Sequence, residues 1–132
     1  MDSTLKYYNQ NADQFVQGTL SVDFKQTQDR FLAKLPEDAY ILDFGCGSGR
    51  DTKYFLENGY QVDAADGSEE LCKIASDYTG IKVKQMLFGE LCDVDKYDGI
   101  WACSSILHLS KDTLADVLKK MTAALKDSGV IY

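Results

Sequence analysis

The chain has 132 residues, of which 45% are hydrophobic and 27% are charged. This length and composition predict a single globular domain and exclude intrinsic disorder. No apolar run approaches the roughly 20 residues of a membrane-spanning helix, and 14 basic residues stand against 21 acidic ones, for a formal net charge of −7. Because a phosphate backbone is bound through clustered basic residues, we expect neither a membrane nor a nucleic acid as a partner.

The cysteines and the single histidine do not have the spacing of a metal site. Cys46, Cys72, Cys92 and Cys103 include no C-x-x-C pair, and His108 stands alone, so we expect no metal. The N-terminus is polar, without a basic leader or an apolar signal core. Reduced, mostly buried thiols in a chain without an export signal are typical of a cytoplasmic protein.

Two helices are predicted first in chain order. Apolar residues recur at helical spacing between Leu5 and Val16, and again from about Asp23 to Leu35. Pro36 ends the second helix, because the residue before a proline is driven out of the helical region. Strands are then predicted at residues 40–44, 60–65, 81–86, 97–103 and from 129 onward, with helices at 50–58, 68–78 and 114–125.

This alternation implies crossover connections, and hence a parallel sheet with helices on both faces. The last residues, Val130, Ile131 and Tyr132, are predicted to begin a fifth strand. An open strand exposes unpaired backbone groups. We therefore expect either that the chain is a fragment of a longer domain or that a partner, such as a second copy in a homodimer, covers this edge.

The run ILDFGCGSGR, residues 41–50, is the most informative motif. A predicted strand enters three glycines at alternate positions, and a predicted helix follows. Glycines there allow a sharp turn and let a ligand lie against the main chain. In an open parallel sheet the ligand crevice lies beyond the carboxyl ends of the strands. The motif therefore predicts a ligand site, rather than a bare strand-to-helix turn.

Asp66 follows Gly45 by 21 residues, at the end of the second predicted strand. A carboxylate there accepts hydrogen bonds from both hydroxyls of a ribose, which favours an adenosine-containing ligand. A dinucleotide fingerprint needs its third glycine where this chain has Arg50. Asp43 would repel a pyrophosphate but attract a cation. The charge pattern therefore favours S-adenosylmethionine, which carries a sulfonium and an ammonium, over a nicotinamide dinucleotide.

On these motifs the chain resembles the class I S-adenosylmethionine-dependent methyltransferases. ILDFGCGSGR is similar to their first motif, VDAADGSEEL to their second, YDGIWACSSILHLS to their fourth-strand motif, and ALKDSGVIY to the entry of their fifth strand. YYNQNADQF resembles their lid helix, and the small tellurite-resistance-type enzymes are the most similar subfamily. The resemblance implies a doubly wound Rossmann-like α/β fold with strand order 3-2-1-4-5. Residues 1–36 would form a helical lid and cap, and residues 37–132 a core that stops within the fifth strand.

The resemblance also implies roles for particular residues. The methionine end of the cofactor would be lined by the glycine loop, with Cys103 and Ser104 close by. Asp66 would hold the ribose, with Gly67 beside the adenine. Relatives often have an acid after the third strand, where this chain has Met86, Leu87 and Phe88, so main-chain atoms would make that contact. The full implied cofactor set is Asp43, Gly45, Cys46, Gly47, Gly49, Arg50, Asp66, Gly67, Leu87, Phe88, Cys103, Ser104 and Tyr8.

The activity that the resemblance implies is methyl transfer from S-adenosylmethionine to a small-molecule or oxyanion acceptor, with S-adenosylhomocysteine as product. In-line displacement depends mainly on alignment of the reacting groups. A base is optional, and His108 is the candidate, since its ordinary pKa lies near 6.5; alternatively, it begins or caps the next helix. Two other functions stay open, namely a non-catalytic adenosylmethionine-binding fragment and a nicotinamide-dependent oxidoreductase.

Overall fold

A computed structural model of the chain describes residues 25–102 and 109–132. The first predicted helix, and with it Tyr8, lies outside the described residues, as do Cys103, Ser104 and His108. The described elements are α1 (Lys25–Leu32), β1 (Tyr40–Phe44), α2 (Arg50–Glu57), β2 (Gln61–Asp66), α3 (Glu69–Thr79), β3 (Lys84–Gln85), a 3-10 turn (Phe88–Glu90), β4 (Tyr97–Trp101), α4 (Lys111–Ala124) and β5 (Leu125–Ile131).

The five strands form one parallel sheet in the order β3-β2-β1-β4-β5. This arrangement confirms the predicted doubly wound fold and its strand order. β1 is central and pairs with β2 on one side and with β4 on the other. The chain therefore reverses its winding direction at β1, and the loop after β1 opens at this switch point, where ligands bind in folds of this kind.

Helices cover both faces of the sheet, as the alternation of elements predicted. Side chains alternate between the two faces of a strand. Leu42 and Phe44 of β1 belong to the apolar cluster that includes Val117 and Met121 of α4. Ile41 belongs to the opposite cluster, with Phe31 of α1, Phe55 of α2 and Trp101 of β4. Because both faces are buried, β1 reads in sequence as a nearly continuous apolar run.

The third and fifth strands differ from the prediction. β3 is limited to Lys84–Gln85, because the side chain of Ser76 accepts the backbone N–H of Val83 at 2.9 Å and so takes the place of a strand partner. β5 begins at Leu125, directly after α4. Leu125 pairs with Tyr97 and Val130 with Gly99, so residues 126–129 bulge from the ladder.

The predicted helix start at Ser68 is confirmed, because its side chain accepts the backbone N–H of Leu71 at 3.3 Å. Ser110, and not His108, is the residue that caps α4: its side chain accepts from the N–H of Thr113. The role of His108, which lies outside the described residues, stays a prediction. No helix of the described residues is long and apolar enough to cross a bilayer.

Candidate cofactor site

The glycine loop connects three elements at the carboxyl edge of the sheet. Gly45, Gly47 and Gly49 all have positive φ values, of 84°, 56° and 90°. The N–H groups of Gly45 and Cys46 both donate to the carbonyl of Ala65, at 2.8 and 2.9 Å. The loop is thus tied through its main chain to the end of β2, next to Asp66.

Gly49 lies where α2 begins against α3. A Cβ atom on Gly49 would lie 2.8 Å from Cγ2 of Thr79 and 3.2 Å from Cβ of Ala75. The third glycine is therefore required by helix packing as well as by its left-handed backbone. The absence of a side chain at Gly49 therefore lets the loop lie close to the helix after β2.

The carboxylate of Asp66 holds the loop from the other side. Oδ2 accepts the backbone N–H of Gly47 at 2.9 Å, and Oδ1 accepts that of Ser68 at 2.8 Å. Burial raises the pKa of Asp66, while these two hydrogen bonds oppose the rise. A carboxylate offers about four acceptor positions. The main chain takes two of them: the bond from Ser68 is the turn contact typical of an aspartate before a helix, whereas the bond from Gly47 was not predicted from the sequence. The ribose contact stays a prediction.

Asp43 is almost completely buried at the end of β1. The hydroxyl of Thr52 donates to its Oδ2 at 2.6 Å. Burial, together with the charges of Asp51 and Asp66, raises the pKa of Asp43 well above its ordinary value, against the lowering effect of Thr52 and Arg50. A cationic group placed beside Asp43 would offset this excess of buried negative charge.

Cys46 and Cys72 are both buried thiols in one apolar cluster. Burial raises the pKa of Cys46 well above its ordinary value, and the charges of Asp43 and Asp66 raise it further. Burial is also the largest cause that raises the pKa of Cys72 to about 11. Both side chains are therefore thiols at neutral pH and act as small apolar groups.

Arg50 opens α2 and donates two hydrogen bonds to the neighbouring Asp51. Asp51 also accepts from Gln28 and from the indole of Trp101, so that one buried carboxylate collects donors from three elements. Sequence reasoning missed Asp51. The adjacent arginine and aspartate after the glycine loop were the only local signal, since Gln28 and Trp101 lie far away in sequence.

The residues predicted to surround the adenine follow β2 and β3. The main chains of these strands are neighbours here, since the N–H of Met86 donates to the carbonyl of Asp66 at 3.0 Å. The side-chain amide of Gln85 donates to the carbonyl of Gly67 at 3.4 Å. Leu87 is 52% exposed, so its side chain is open to contact. Phe88 packs edge-on against Phe44, with ring centroids 4.9 Å apart.

The structure thus brings most of the implied cofactor set to one edge of the sheet. The loop residues and Asp43 lie at the end of β1, Asp66 and Gly67 at the end of β2, and Leu87 and Phe88 just after β3. The hydroxyl of Ser48, inside the loop, is fully buried and has no hydrogen-bond partner within the described part of the chain. Among residues 25–102 and 109–132, no three His, Cys, Asp or Glu side chains are arranged to hold a metal ion.

This fold and this site define a class I S-adenosylmethionine-dependent methyltransferase domain. The sequence pattern of the methyltransferase domain family matches residues 41–129, which run from β1 into β5. The chain belongs to this family.

Two relatives show how far the similarity extends. The chain is 30% identical over 125 residues to N-terminal Xaa-Pro-Lys N-methyltransferase 1 of Homo sapiens, covering 84% of this chain and 56% of that protein. It is 28% identical over 107 residues to the putative methyltransferase YqeM of Bacillus subtilis, covering 75% of this chain and 43% of that one. The chain spans about half the length of the curated relatives it matches.

Two solved structures share the fold over 98% of this chain. One is a TehB-like S-adenosylmethionine-dependent methyltransferase from Corynebacterium glutamicum, with a TM-score of 0.75, 22% identity and 72% of that chain covered. The other is the 1,6-didemethyltoxoflavin-N1-methyltransferase of Burkholderia thailandensis, with a TM-score of 0.78, 26% identity and 59% covered. The second structure contains S-adenosylhomocysteine and 1,6-didemethyltoxoflavin.

Proposed function

We propose that this domain binds S-adenosylmethionine across the glycine loop and transfers its methyl group to a small-molecule or oxyanion acceptor. The observation that carries the proposal is the placement of two buried carboxylates, Asp43 and Asp66, on either side of a glycine loop at the switch point of the sheet. These two carboxylates accept hydrogen bonds and carry negative charge, so a ligand with a ribose and two cationic centres matches them and a pyrophosphate does not.

Each end of the cofactor has residues of matching chemistry. Asp43 would face the ammonium and sulfonium, and the Arg50 guanidinium would meet the carboxylate. Asp66 has acceptor positions beyond those used by the main chain, and these would take the ribose hydroxyls. Gly67, Leu87 and Phe88 would flank the adenine, and the exposure of Leu87 is what such a contact needs.

The bound cofactor supplies a methyl group on a good leaving group. The residues of this chain would bind it, orient it and exclude water, and that alignment provides most of the catalysis. Cys103 and Ser104, two and three residues beyond β4, would lie near the methyl group, with His108 as the base and Tyr8 closing over the site. These four residues lie outside the described part of the chain, and we propose their roles from the family resemblance alone.

The acceptor has two candidates. The Burkholderia structure is that of a 1,6-didemethyltoxoflavin-N1-methyltransferase, which supports the small-molecule proposal. A second candidate is the N-terminus of a protein, because several relatives are named N-terminal Xaa-Pro-Lys N-methyltransferase 1. Incubation with methyl-labelled cofactor and either small metabolites or Xaa-Pro-Lys peptides separates the two. Buried, protonated thiols at Cys46 and Cys72 are consistent with activity in a reducing cytoplasm.

Calorimetric titration of the full chain tests the cofactor. We expect S-adenosylhomocysteine to bind and NAD⁺ not to bind. Asp66→Asn should weaken binding by about tenfold or more, since charge-assisted hydrogen bonds contribute roughly 1.5–3 kcal/mol each. Asp63→Asn is the matched control, because Asp63 lies in the same strand but bonds to Tyr97 and Lys96 instead.

Because Asp66 also accepts a hydrogen bond from the glycine loop, a loss of affinity in Asp66→Asn has two possible causes. A 2′-deoxyribose analogue of S-adenosylhomocysteine separates the ribose contact from the loop contact. If Asp66 receives the ribose, the analogue should bind wild type weakly and lose little more in Asp66→Asn. Preferential binding of NAD⁺ would contradict the proposal in favour of the oxidoreductase. Binding without methyl transfer to any acceptor would leave the domain a non-catalytic adenosylmethionine-binding module.

A further inference from the structure

Asp51 is the point where three elements of the domain meet. Its Oδ1 accepts from Nε2 of Gln28, in α1, at 2.5 Å and from Nε of Arg50 at 3.1 Å. Its Oδ2 accepts from Nη2 of Arg50 at 3.0 Å and from Nε1 of Trp101, the last residue of β4, at 2.9 Å. The site thus connects an N-terminal helix, the helix after the glycine loop and the fourth strand.

The four donors match the four acceptor positions of a carboxylate. Asp51, Gln28 and Trp101 are all buried. The two bonds from Arg50 use both oxygens, which fixes the plane of the guanidinium as well as its position. An asparagine of the same shape would present one acceptor oxygen and two N–H groups, so it would oppose donors with donors wherever its amide pointed.

We propose that Asp51 is a positioning residue for the amino-acid end of the cofactor. It fixes Arg50 and the carboxyl end of β4 before the ligand arrives, so that binding does not have to order them. This inference rests on the proposed function, in which Arg50 meets the cofactor carboxylate. The sequence adds a second reason, because Trp101 is two residues before Cys103, which is proposed to lie near the methyl group.

Positioning and simple charge effects predict opposite results for Asp51→Asn. If Asp51 only competed with the cofactor carboxylate for Arg50, its neutralisation would strengthen binding. If Asp51 orients Arg50, the same substitution weakens binding of any ligand that carries the amino-acid tail. The affinity for a ligand without the tail should not change. A general loss of structure would instead weaken the binding of both kinds of ligand.

The experiment compares S-adenosylhomocysteine with 5′-methylthioadenosine, which keeps the adenosine but lacks the amino-acid tail. For Asp51→Asn we expect about tenfold weaker binding of S-adenosylhomocysteine, on the scale of a lost charge-assisted bond, and less than about a twofold change for 5′-methylthioadenosine. Asp29→Asn is the control, because Asp29 also connects α1 to α2, through Tyr54, but on the exposed surface. It should change neither affinity.

A second variant guards against misfolding of Asp51→Asn. Trp101→Phe removes one donor and keeps an aromatic ring between Phe31 and Phe55. It should weaken the binding of S-adenosylhomocysteine by about threefold and leave the binding of 5′-methylthioadenosine unchanged. Tighter binding of S-adenosylhomocysteine, equal losses for both ligands, or no difference from Asp29→Asn would each overturn the inference. Failure of wild type to bind either ligand would instead overturn the proposed function.

Discussion

Gly49→Ala is expected to destabilise the domain through two separable effects. The backbone at Gly49 has a φ of 90°, which costs an L-residue roughly 1–2 kcal/mol. The added Cβ would also lie 2.8 Å from Cγ2 of Thr79, and overpacking of this kind costs about 1–3 kcal/mol. Together they predict a loss of about 3 kcal/mol in the free energy of unfolding, with a fall in Tm on the order of 10 °C.

Two further variants separate the contributions. Gly59 has the same φ of 90°, but a Cβ there would meet nothing within 4 Å, so Gly59→Ala measures the backbone cost alone. Thr79→Ser removes Cγ2 and keeps the hydroxyl that donates to the carbonyl of Ala75. In that background, Gly49→Ala should lose most of its steric cost. Urea unfolding followed by circular dichroism measures all of these variants.

The packing argument is refuted if Gly49→Ala costs no more than Gly59→Ala. It is also refuted if Thr79→Ser leaves the cost of Gly49→Ala unchanged. Either result would mean that the loop tolerates the extra atom by moving away from α3. Cofactor affinity would then be the measurement that shows whether such a movement matters for the site.

Three other predictions concern the carboxyl group of Asp43, the hydroxyl group of Ser48 and the β5 edge of the sheet. Because the pKa of Asp43 is raised, its contribution to stability is complete below the ordinary value of 3.8 and declines as pH rises through the raised value. Over the same pH range the affinity for S-adenosylmethionine should increase, and binding should release a proton. Calorimetry in two buffers measures the proton release, and Asp43→Asn should reduce it. Ser48→Ala should raise the free energy of unfolding by about 1 kcal/mol, because it removes a buried hydroxyl without a described partner; a loss of stability in urea unfolding would show that the hydroxyl is satisfied. The 132-residue chain should self-associate through β5, an edge strand of the described sheet that ends in the half-exposed Ile131 and Tyr132, and a monodisperse monomer by light scattering at high concentration would contradict this.

The alternation of strands and helices and the position of the site were predictable from the sequence, because both depend on local signals, whereas the strand order followed from the family resemblance. Apolar runs and helical stripes define the alternating elements, and the known handedness of crossovers then limits the topology. The glycines of residues 45–49 and the carboxylate of Asp66 report on short-range backbone geometry. These backbone requirements arise within one strand-loop-helix unit, so they can be predicted without knowing the remainder of the fold.

Only the tertiary structure decided which side chains meet between these units. Gln28 and Trp101 are 23 and 50 residues from Asp51, and no periodicity relates them. The hydrogen bond from Gly47 to Asp66 likewise depends on how the glycine loop packs against the end of β2. The length of β3 depended on competition between Ser76 and a strand partner for one backbone N–H. Hydrogen bonds between distant segments follow from packing, which is a property of the whole chain, and local sequence therefore carries no record of them.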